Sequence, residues 1–293
     1  MNCVTSPSCK ICKSPTTALG TRRGKHVHTD FELCRCNTCH FAFISNPHSN
    51  LDELYGDDYY AGKGADPLVD YEFELSHPDI TIRQYEWSGI ERVIRDSVRV
   101  DSSTRWLDFG CGTGGLVRYC RDRVGCQAFG YDASDRQGHL EDLGTNFITE
   151  RDLEKFKGTF DVTTAIEVFE HLPDPVSSLR LIHSLLKPGG LFYCTTGNAQ
   201  PFAKNILEWR YLIPEIHISL FEPKSLETAL KIAGFRPEYT GFPAGFEDIM
   251  RFKILKNLGI RRTAIWEKLL PWPLLSRMAD RVYKLSGHPM GRA

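Results

Sequence analysis

Four cysteines, one glycine-lined turn and two histidines are the residues of this 293-residue sequence whose types and spacing could do chemistry. Cys9-x-x-Cys12 and Cys36-x-x-Cys39 are two close pairs with 23 residues between them. Each pair can close a tight knuckle on one ion. Four thiolates fill a tetrahedral shell and leave no open position, so the spacing predicts a structural Zn2+ held by Cys9, Cys12, Cys36 and Cys39. A unit of about 40 residues needs such a staple, because its apolar core is too small to stand alone. Cys34 is an alternative ligand by position, but the strand alternation of "FELCRCNTC" turns it toward packing. Cys3 reads as a free thiol near a frayed end, and Cys111, Cys120, Cys126 and Cys194 read as ordinary buried or half-buried thiols.

The stretch "DFGCGTGG", residues 108–115, contains a literal G-x-G-x-x-G. Such a turn lets the backbone approach a ligand closely and adopt positive φ. Followed by a helix N-terminus, it favours polar or anionic groups. Asp132 ends the next strand, 20 residues beyond Gly112, where it can take both hydroxyls of a ribose. These features fit NAD and S-adenosylmethionine alike. Asp108 separates them: a carboxylate just before the glycines repels a pyrophosphate but suits the ammonium of an amino acid. The additional Gly114 makes the loop more open than a dinucleotide needs, and "IEVFEHLPDP" has no role in hydride transfer.

The two histidines are His171, in "EVFEHLP", and His217, in "PEIHISLFEPKSL". An unperturbed imidazole, with a pKa near ~6.5, suits proton abstraction close to neutrality. The bland alternative for each is a histidine that orders a loop. Glu215 could assist His217; otherwise it reads as a solvated loop charge.

Elements must bring these residues together. Apolar spacing in "ITIRQYEWSGIERVIRDSV" predicts a helix. From residue 104 strand and helix alternate: "RWLDFG", "CQAFGYD", "NFIT", "FDVTTAIEVF" and "LFYCTT" read as strands. "LVRYCRD", Arg136 to Leu143, "PDPVSSLRLIHSLLKPGG" and "PKSLETALKIAGF" read as helices, with Pro175 in a first turn and Val176, Leu179, Ile182 and Leu186 facing inward. Such alternation predicts a parallel sheet with helices on both faces and a ligand at the carboxyl ends of its strands.

"LDFGCGTG", "GYDAS", "ERDLEKF", "FDVTTAIEVFEHLPDP" and "LLKPGGLFYCTT" occur in this order over roughly residues 80–245. Together they resemble a class I S-adenosylmethionine-dependent methyltransferase. The resemblance implies an α/β, Rossmann-like, doubly wound seven-stranded sheet. It also implies that Asp108, Gly110, Gly112, Gly114 and Glu167 line the methionine end of the cofactor. Asp132 and Ala133 would meet ribose and adenine, and Asp152 and Leu153 would lie near the adenine amino group, a helix N-cap being the alternative for Asp152. His217 and His171 become candidate bases. A helical turn would put Glu167, Glu170 and His171 on one face, and with His217 they resemble the metal site of small-RNA 3′-terminal 2′-O-methyltransferases, a site for Mg2+ or Mn2+.

The cysteine unit followed by "NPHSNLDELYGDDYY" resembles the zinc-ribbon methyltransferases of bacterial sugar and polysaccharide biosynthesis, in which Tyr55, Tyr59 and Tyr60 would cover the acceptor or simply glue the linker down. The expected organisation is a zinc ribbon over 1–45, an aromatic linker over 46–80, the methyltransferase domain over 81–245 and a helical extension over 246–293. Residues 251–293 of that extension carry ten Lys and Arg against Glu267 and Asp280, a net +8. It reads as a lid, a dimer surface, or a surface for an anionic bilayer. No 18-residue apolar run and no leader pattern is seen, so the expected placement is cytoplasmic, or membrane-peripheral through the tail. A net charge of −1 gives no field for nucleic acid, so RNA methylation stands second to a hydroxyl of a sugar-like or lipid-linked small molecule, and a non-enzymatic scaffold third.

Overall fold

The computed structural model describes residues 7–50, 54–56, 59, 63–64, 71–77, 81–133, 146–240 and positions 271, 274 and 278. Cys3, Tyr60, the expected helix from Arg136 to Leu143 and nearly all of the basic extension lie outside the described residues.

The cysteine unit is a three-stranded antiparallel meander: β1 (Thr16–Arg23), β2 (Asp30–Cys36) and β3 (Ala42–Ile44). A fourth strand completes its sheet from far along the chain: β8 (Ser219–Leu220) pairs antiparallel with β3. Phe31, Leu33, Ala42 and Ile44 pack beneath that sheet on Ile206, Trp209, Leu212 and Leu220. The ribbon therefore shares its sheet with the chain just downstream of His217.

The second sheet is parallel, in the order β5–β4–β6–β7: β4 (Arg105–Phe109), β5 (Gln127–Tyr131), β6 (Phe160–Ile166) and β7 (Leu186–Thr195). "NFIT" contributes a single parallel bridge, Phe147 to Gly130, outside β5. The strands are near-continuous apolar runs because helices cover both faces. After the short α1 (Tyr71–Ser76), α2 (Arg83–Ser97) buries Tyr85, Ile90 and Ile94 at helical spacing. α3 (Gly115–Tyr119) widens into a π-helical turn that Gly125, at φ +78°, ends. α4 (Pro175–Leu185) starts at Asp174, whose carboxylate accepts the Ser177 N–H, and buries Val176, Leu179, Ile182 and Leu185. α5 (Pro223–Ile232) follows β8 and ends before Gly234. This is the expected doubly wound α/β architecture. No helix among the described residues is long and apolar enough to cross a membrane.

Candidate functional site

The glycine turn follows β4, at the carboxyl ends of the parallel strands. Gly110, Gly112 and Gly114 all have positive φ, at 80°, 52° and 74°. The Gly110 and Cys111 amides both donate to the Tyr131 carbonyl, which folds the loop back over the end of β5. A Cβ on Gly110 would lie 2.5 Å from Val168 Cγ2, so the turn and the Glu167–His171 segment touch only because residue 110 lacks a side chain. Gly112 N–H donates to Asp132 Oδ2 at 2.8 Å, placing the second-strand acid against the turn.

Asp108 lies at the end of β4, buried. Trp106 Nε1 donates to Thr164 Oγ1 (3.1 Å), and that hydroxyl donates to Asp108 Oδ1 (2.9 Å). Burial, reinforced by the charge of Asp132, pushes Asp108 up to about 7. A carboxyl so poised gains most from a cation brought beside it. Ala133 is exposed next to Asp132. Leu153 is buried, whereas Asp152 accepts from Thr149 Oγ1 (2.7 Å) and Lys155 Nζ (2.6 Å). Thr149, not Asp152, occupies the N-cap position of the short 3-10 helix Glu150–Phe156.

β6 ends at Ile166, earlier than the apolar pattern suggests. Glu167 follows at φ +54°, rare for a side chain of this size. The expected helical face of Glu167, Glu170 and His171 is thereby corrected: only Phe169–His171 form a 3-10 turn, and Glu167 precedes it in a left-handed conformation. The two glutamates meet through Tyr211, whose hydroxyl bonds Glu167 Oε2 at 2.9 Å and also Glu170 Oε1. Thr196 Oγ1 donates to Glu170 Oε2 at 2.7 Å. Burial raises the Glu170 carboxyl above its ordinary range.

The two histidines come together although 45 residues separate them in sequence; their rings meet edge to face at 5.0 Å. His217 is buried, stacked on Tyr211 at 4.3 Å, with its Nδ1 bonded to the Tyr211 carbonyl. His171 Nδ1 lies 3.1 Å from the Ile216 carbonyl and 2.9 Å from the Tyr55 hydroxyl. Burial lowers His171 to about 4, so it is neutral at pH 7. Each ring thus has its Nδ1 side tied down by a backbone carbonyl. One ligand atom from each of Glu170, His171 and His217 falls within 4.8 Å of the others; Glu167 is not in that set.

Tyr55 and Tyr59 from the linker stack edge to face at 5.1 Å beside His171, in an apolar cluster with Leu54, Val27, Ile213 and Ile216. Glu215 corrects a second expectation. It is not a solvated charge but 2% exposed; its Oε1 accepts from the His26 N–H at 2.8 Å, and its Oε2 has no partner. Nothing in the local pattern "PEIHIS" signals this, because the partner comes from the ribbon.

In the ribbon, Cys9 Sγ lies 3.6 Å from Cys39 Sγ and Cys12 Sγ lies 3.4 Å from Cys36 Sγ, with all four within 4.8 Å. Tetrahedral Zn–S bonds of about 2.3 Å put sulfurs roughly 3.8 Å apart, so the cradle fits that ion. Backbone N–H groups of Ile11, Thr38 and Cys39 point at the sulfurs. Lys13 and His40, each directly after the second cysteine of a pair, share positive φ (62° and 69°), so the knuckles are matched turns. Cys34 is buried outside the group.

A methyltransferase domain family matches residues 82–240, more than half of the chain. The chain is similar to a ubiquinone biosynthesis O-methyltransferase of Ruegeria pomeroyi, with 37% identity over 150 residues, 45% of this chain and 60% of the relative. It is similar to the protein of the same name from Pseudomonas aeruginosa, with 35% identity over 107 residues, 33% of this chain and 46% of the relative. The chain thus spans about half to three-fifths of the length of these curated relatives. Among solved structures, phosphoethanolamine N-methyltransferase 2 of Haemonchus contortus in complex with S-adenosyl-L-methionine shares the fold, with a TM-score of 0.53 and 19% identity over 84% of this chain and 59% of that one.

Proposed function

The chain belongs to the methyltransferase domain family and has the class I fold, and from that premise we propose that it transfers the methyl group of S-adenosylmethionine to a hydroxyl of a small molecule. The observation that carries the reading is the meeting of two groups at one end of the sheet. One is a buried carboxyl, Asp108, beside three positive-φ glycines and Asp132; the other is a pair of tethered imidazoles, His171 and His217, the first on the segment whose Val168 touches Gly110.

In this reading Asp108 takes the ammonium of the cofactor and Asp132 its ribose. Ala133, Asp152 and Leu153 border the adenine, and Gly110, Gly112, Gly114 and Glu167 shape the methionine end. When bound, the cofactor supplies a methyl already activated by positive sulfur, so positioning and removal of one proton remain for the protein. His217 is the base: its Nδ1–H donates to the Tyr211 carbonyl, and in that tautomer Nε2 carries the lone pair that would take the hydroxyl proton. His171, with Tyr55, orients the acceptor. Oxygen is the preferred atom because the curated relatives are named O-methyltransferases. Those names point to ubiquinone biosynthesis rather than to the sugar or polysaccharide setting expected from the ribbon, and the acceptor class proposed is a hydroxylated small molecule in general. Incubation with methyl-labelled cofactor and a panel of phenols, catechols and sugar nucleotides, read by mass spectrometry, tests it. Label on nitrogen or carbon acceptors alone would overturn the assignment to oxygen.

A second reading has one observation in its favour, the clustering of Glu170, His171 and His217. A carboxylate and two imidazoles, each fixed through Nδ1, fit a divalent cation such as Mg2+ or Mn2+. Such an ion would supply a Lewis acid for the acceptor hydroxyl. In the ribbon, Cys9, Cys12, Cys36 and Cys39 would hold Zn2+ as a structural ion.

A further inference from the structure

We propose that the ribbon is a working part of the acceptor side of the site, and that Glu215 is the positioning residue through which it holds His217. The proposal rests on the functional reading above for the importance of His217. Its physical content, that a hairpin near the N-terminus fixes an imidazole about 190 residues later, does not.

Residues 211–220 carry the imidazole and have no regular structure of their own before β8. They are held from two sides. On the methyltransferase side, Ile218 N–H donates to the Glu170 carbonyl (2.8 Å) and Ser219 Oγ to the Leu172 carbonyl (2.6 Å). On the ribbon side, Ile44 N–H donates to the Ile218 carbonyl (3.0 Å), and β3 pairs with β8. The β1–β2 hairpin supplies the rest. Arg22 Nη1 donates to the Leu207 and Trp209 carbonyls at 2.8 and 2.6 Å. At the hairpin tip His26 N–H donates to Glu215 Oε1. Val27, one residue on, packs into the cluster of Tyr55, Tyr59, Ile213 and Ile216.

Two features make the Glu215 contact more than incidental. Glu215 is 2% exposed, its Oε2 has no hydrogen-bond partner, and the charge that faces it, the Arg22 guanidinium, belongs to the same hairpin as His26, so the carboxylate depends on the ribbon for its compensation. The hairpin is also shaped to admit it: a Cβ on Gly24 would lie 2.6 Å from Glu215 Oε1 and 2.8 Å from Phe31 Cε2. Gly24 and Glu215 are therefore one contact built from two distant parts of the chain. Releasing it from either end frees the turn in which His217 N–H bonds the Ile213 carbonyl, and with it the Tyr211 carbonyl that fixes the His217 tautomer.

The test uses the full chain, labelled with 15N in histidine, and long-range 1H–15N spectra of the imidazoles at neutral pH. The His217 signal is assigned by its loss in His217→Ala. The native protein should show His217 as a single tautomer protonated at Nδ1. Glu215→Ala and Gly24→Ala should each give a tautomer mixture, and the double variant should be no worse than either single one, since both remove the same contact. Glu215→Gln, which keeps an oxygen for the His26 N–H, should restore the native signal. Zinc content and the affinity for S-adenosylhomocysteine, by calorimetry, should stay within twofold of native in all of them. An unchanged tautomer in Glu215→Ala, additive effects in the double variant, or a parallel loss of cofactor affinity overturns the proposal. Because the readout is the imidazole itself, a fully active His217→Ala enzyme would defeat the functional reading and leave this result standing.

Discussion

At the scale of single residues, the proposed cofactor site is most open to test at Asp108. A buried carboxyl raised to about 7 is half-protonated near neutrality. The sign follows directly. Folding takes up a proton between the ordinary aspartate pKa, near ~3.9, and 7, so ionising the buried group destabilises the empty protein progressively as pH rises through that window, with the full cost above 7. An ammonium placed beside the carboxylate reverses this, because it favours the ionised form. S-adenosylhomocysteine affinity should therefore rise from pH 6 to pH 8 with release of up to one proton. Calorimetry in two buffers of different ionisation heat measures both, and a pH-independent affinity without proton release would remove the ammonium from beside Asp108. Asp132→Ala should weaken the same ligand at least tenfold by calorimetry; native affinity would refute the ribose role. At the base, His217→Ala should abolish most turnover while cofactor affinity stays near native. The two uses of the cluster separate on a chelator: turnover that survives EDTA assigns His217 to proton transfer, whereas turnover lost with EDTA and restored by Mg2+ or Mn2+ assigns Glu170, His171 and His217 to the cation. The gathering of Asp108, the glycines and Asp132 at the strand ends was legible in the sequence because each is local to one strand end. Glu215 was not, since burial by a partner 189 residues away leaves no trace in its neighbours.

At the scale of elements, the site is shaped by left-handed backbone, at a glycine that adopts it freely and at a glutamate that does not. Gly110 at φ +80° sits against Val168, and Glu167 holds φ +54° without the freedom of a glycine. Left-handed backbone costs an ordinary residue about 1–2 kcal/mol, and strain of this kind clusters where a ligand is held. Gly110→Ala meets both the dihedral and the 2.5 Å approach to Val168, so it should lower thermal stability and cut S-adenosylhomocysteine affinity more than tenfold. A calorimetric scan and titration check the two together; native affinity in a folded variant would mean that the turn does not shape the ligand site. Gly115 makes a similar demand, with a Cβ that would meet Trp87 of α2 at 2.5 Å. Helices with a stripe of apolar residues, α2, α4 and α5, fall where the spacing puts them, because burial of Ile90 and Ile94, or of Leu179 and Ile182, follows from periodicity alone, although α4 stops at Leu185 and Leu186, read as its last inward residue, instead opens β7. The end of β6 does not follow from periodicity. "TAIEVFEH" reads as strand running into helix, whereas Glu167 leaves the strand at φ +54° and shares the Tyr211 hydroxyl, a partner far along the chain, with Glu170.

For the whole molecule, the sequence divides the chain at about residue 45, whereas the contacts join what it divides. Cys9, Ile11, Cys36, Cys39, Phe41 and Phe43 belong to the same apolar cluster as Phe169, Leu179, Phe221 and Leu230. Arg35 Nη2 reaches the buried Glu222 at 2.5 Å, and Glu222 is also the N-cap of α5, closing a reciprocal box with Ser225. A two-residue strand such as β8 has no periodicity to read, which is why the union escapes a reading by pattern. Its consequence is cooperativity. A ribbon that merely hung from the domain would melt on its own when its metal was stripped, and the parallel sheet would keep its cofactor site and its melting temperature. A ribbon whose cysteine knuckles sit in the common core cannot loosen without exposing Phe41 and Phe221, which face each other at 5.0 Å. Structural zinc binding is folding free energy, so its removal should lower the stability of the whole. The expected result is one zinc per chain and a single calorimetric transition that moves down by 10 °C or more on chelation. Two separate transitions, with the upper one unmoved, would show that the ribbon folds apart from the domain it adjoins.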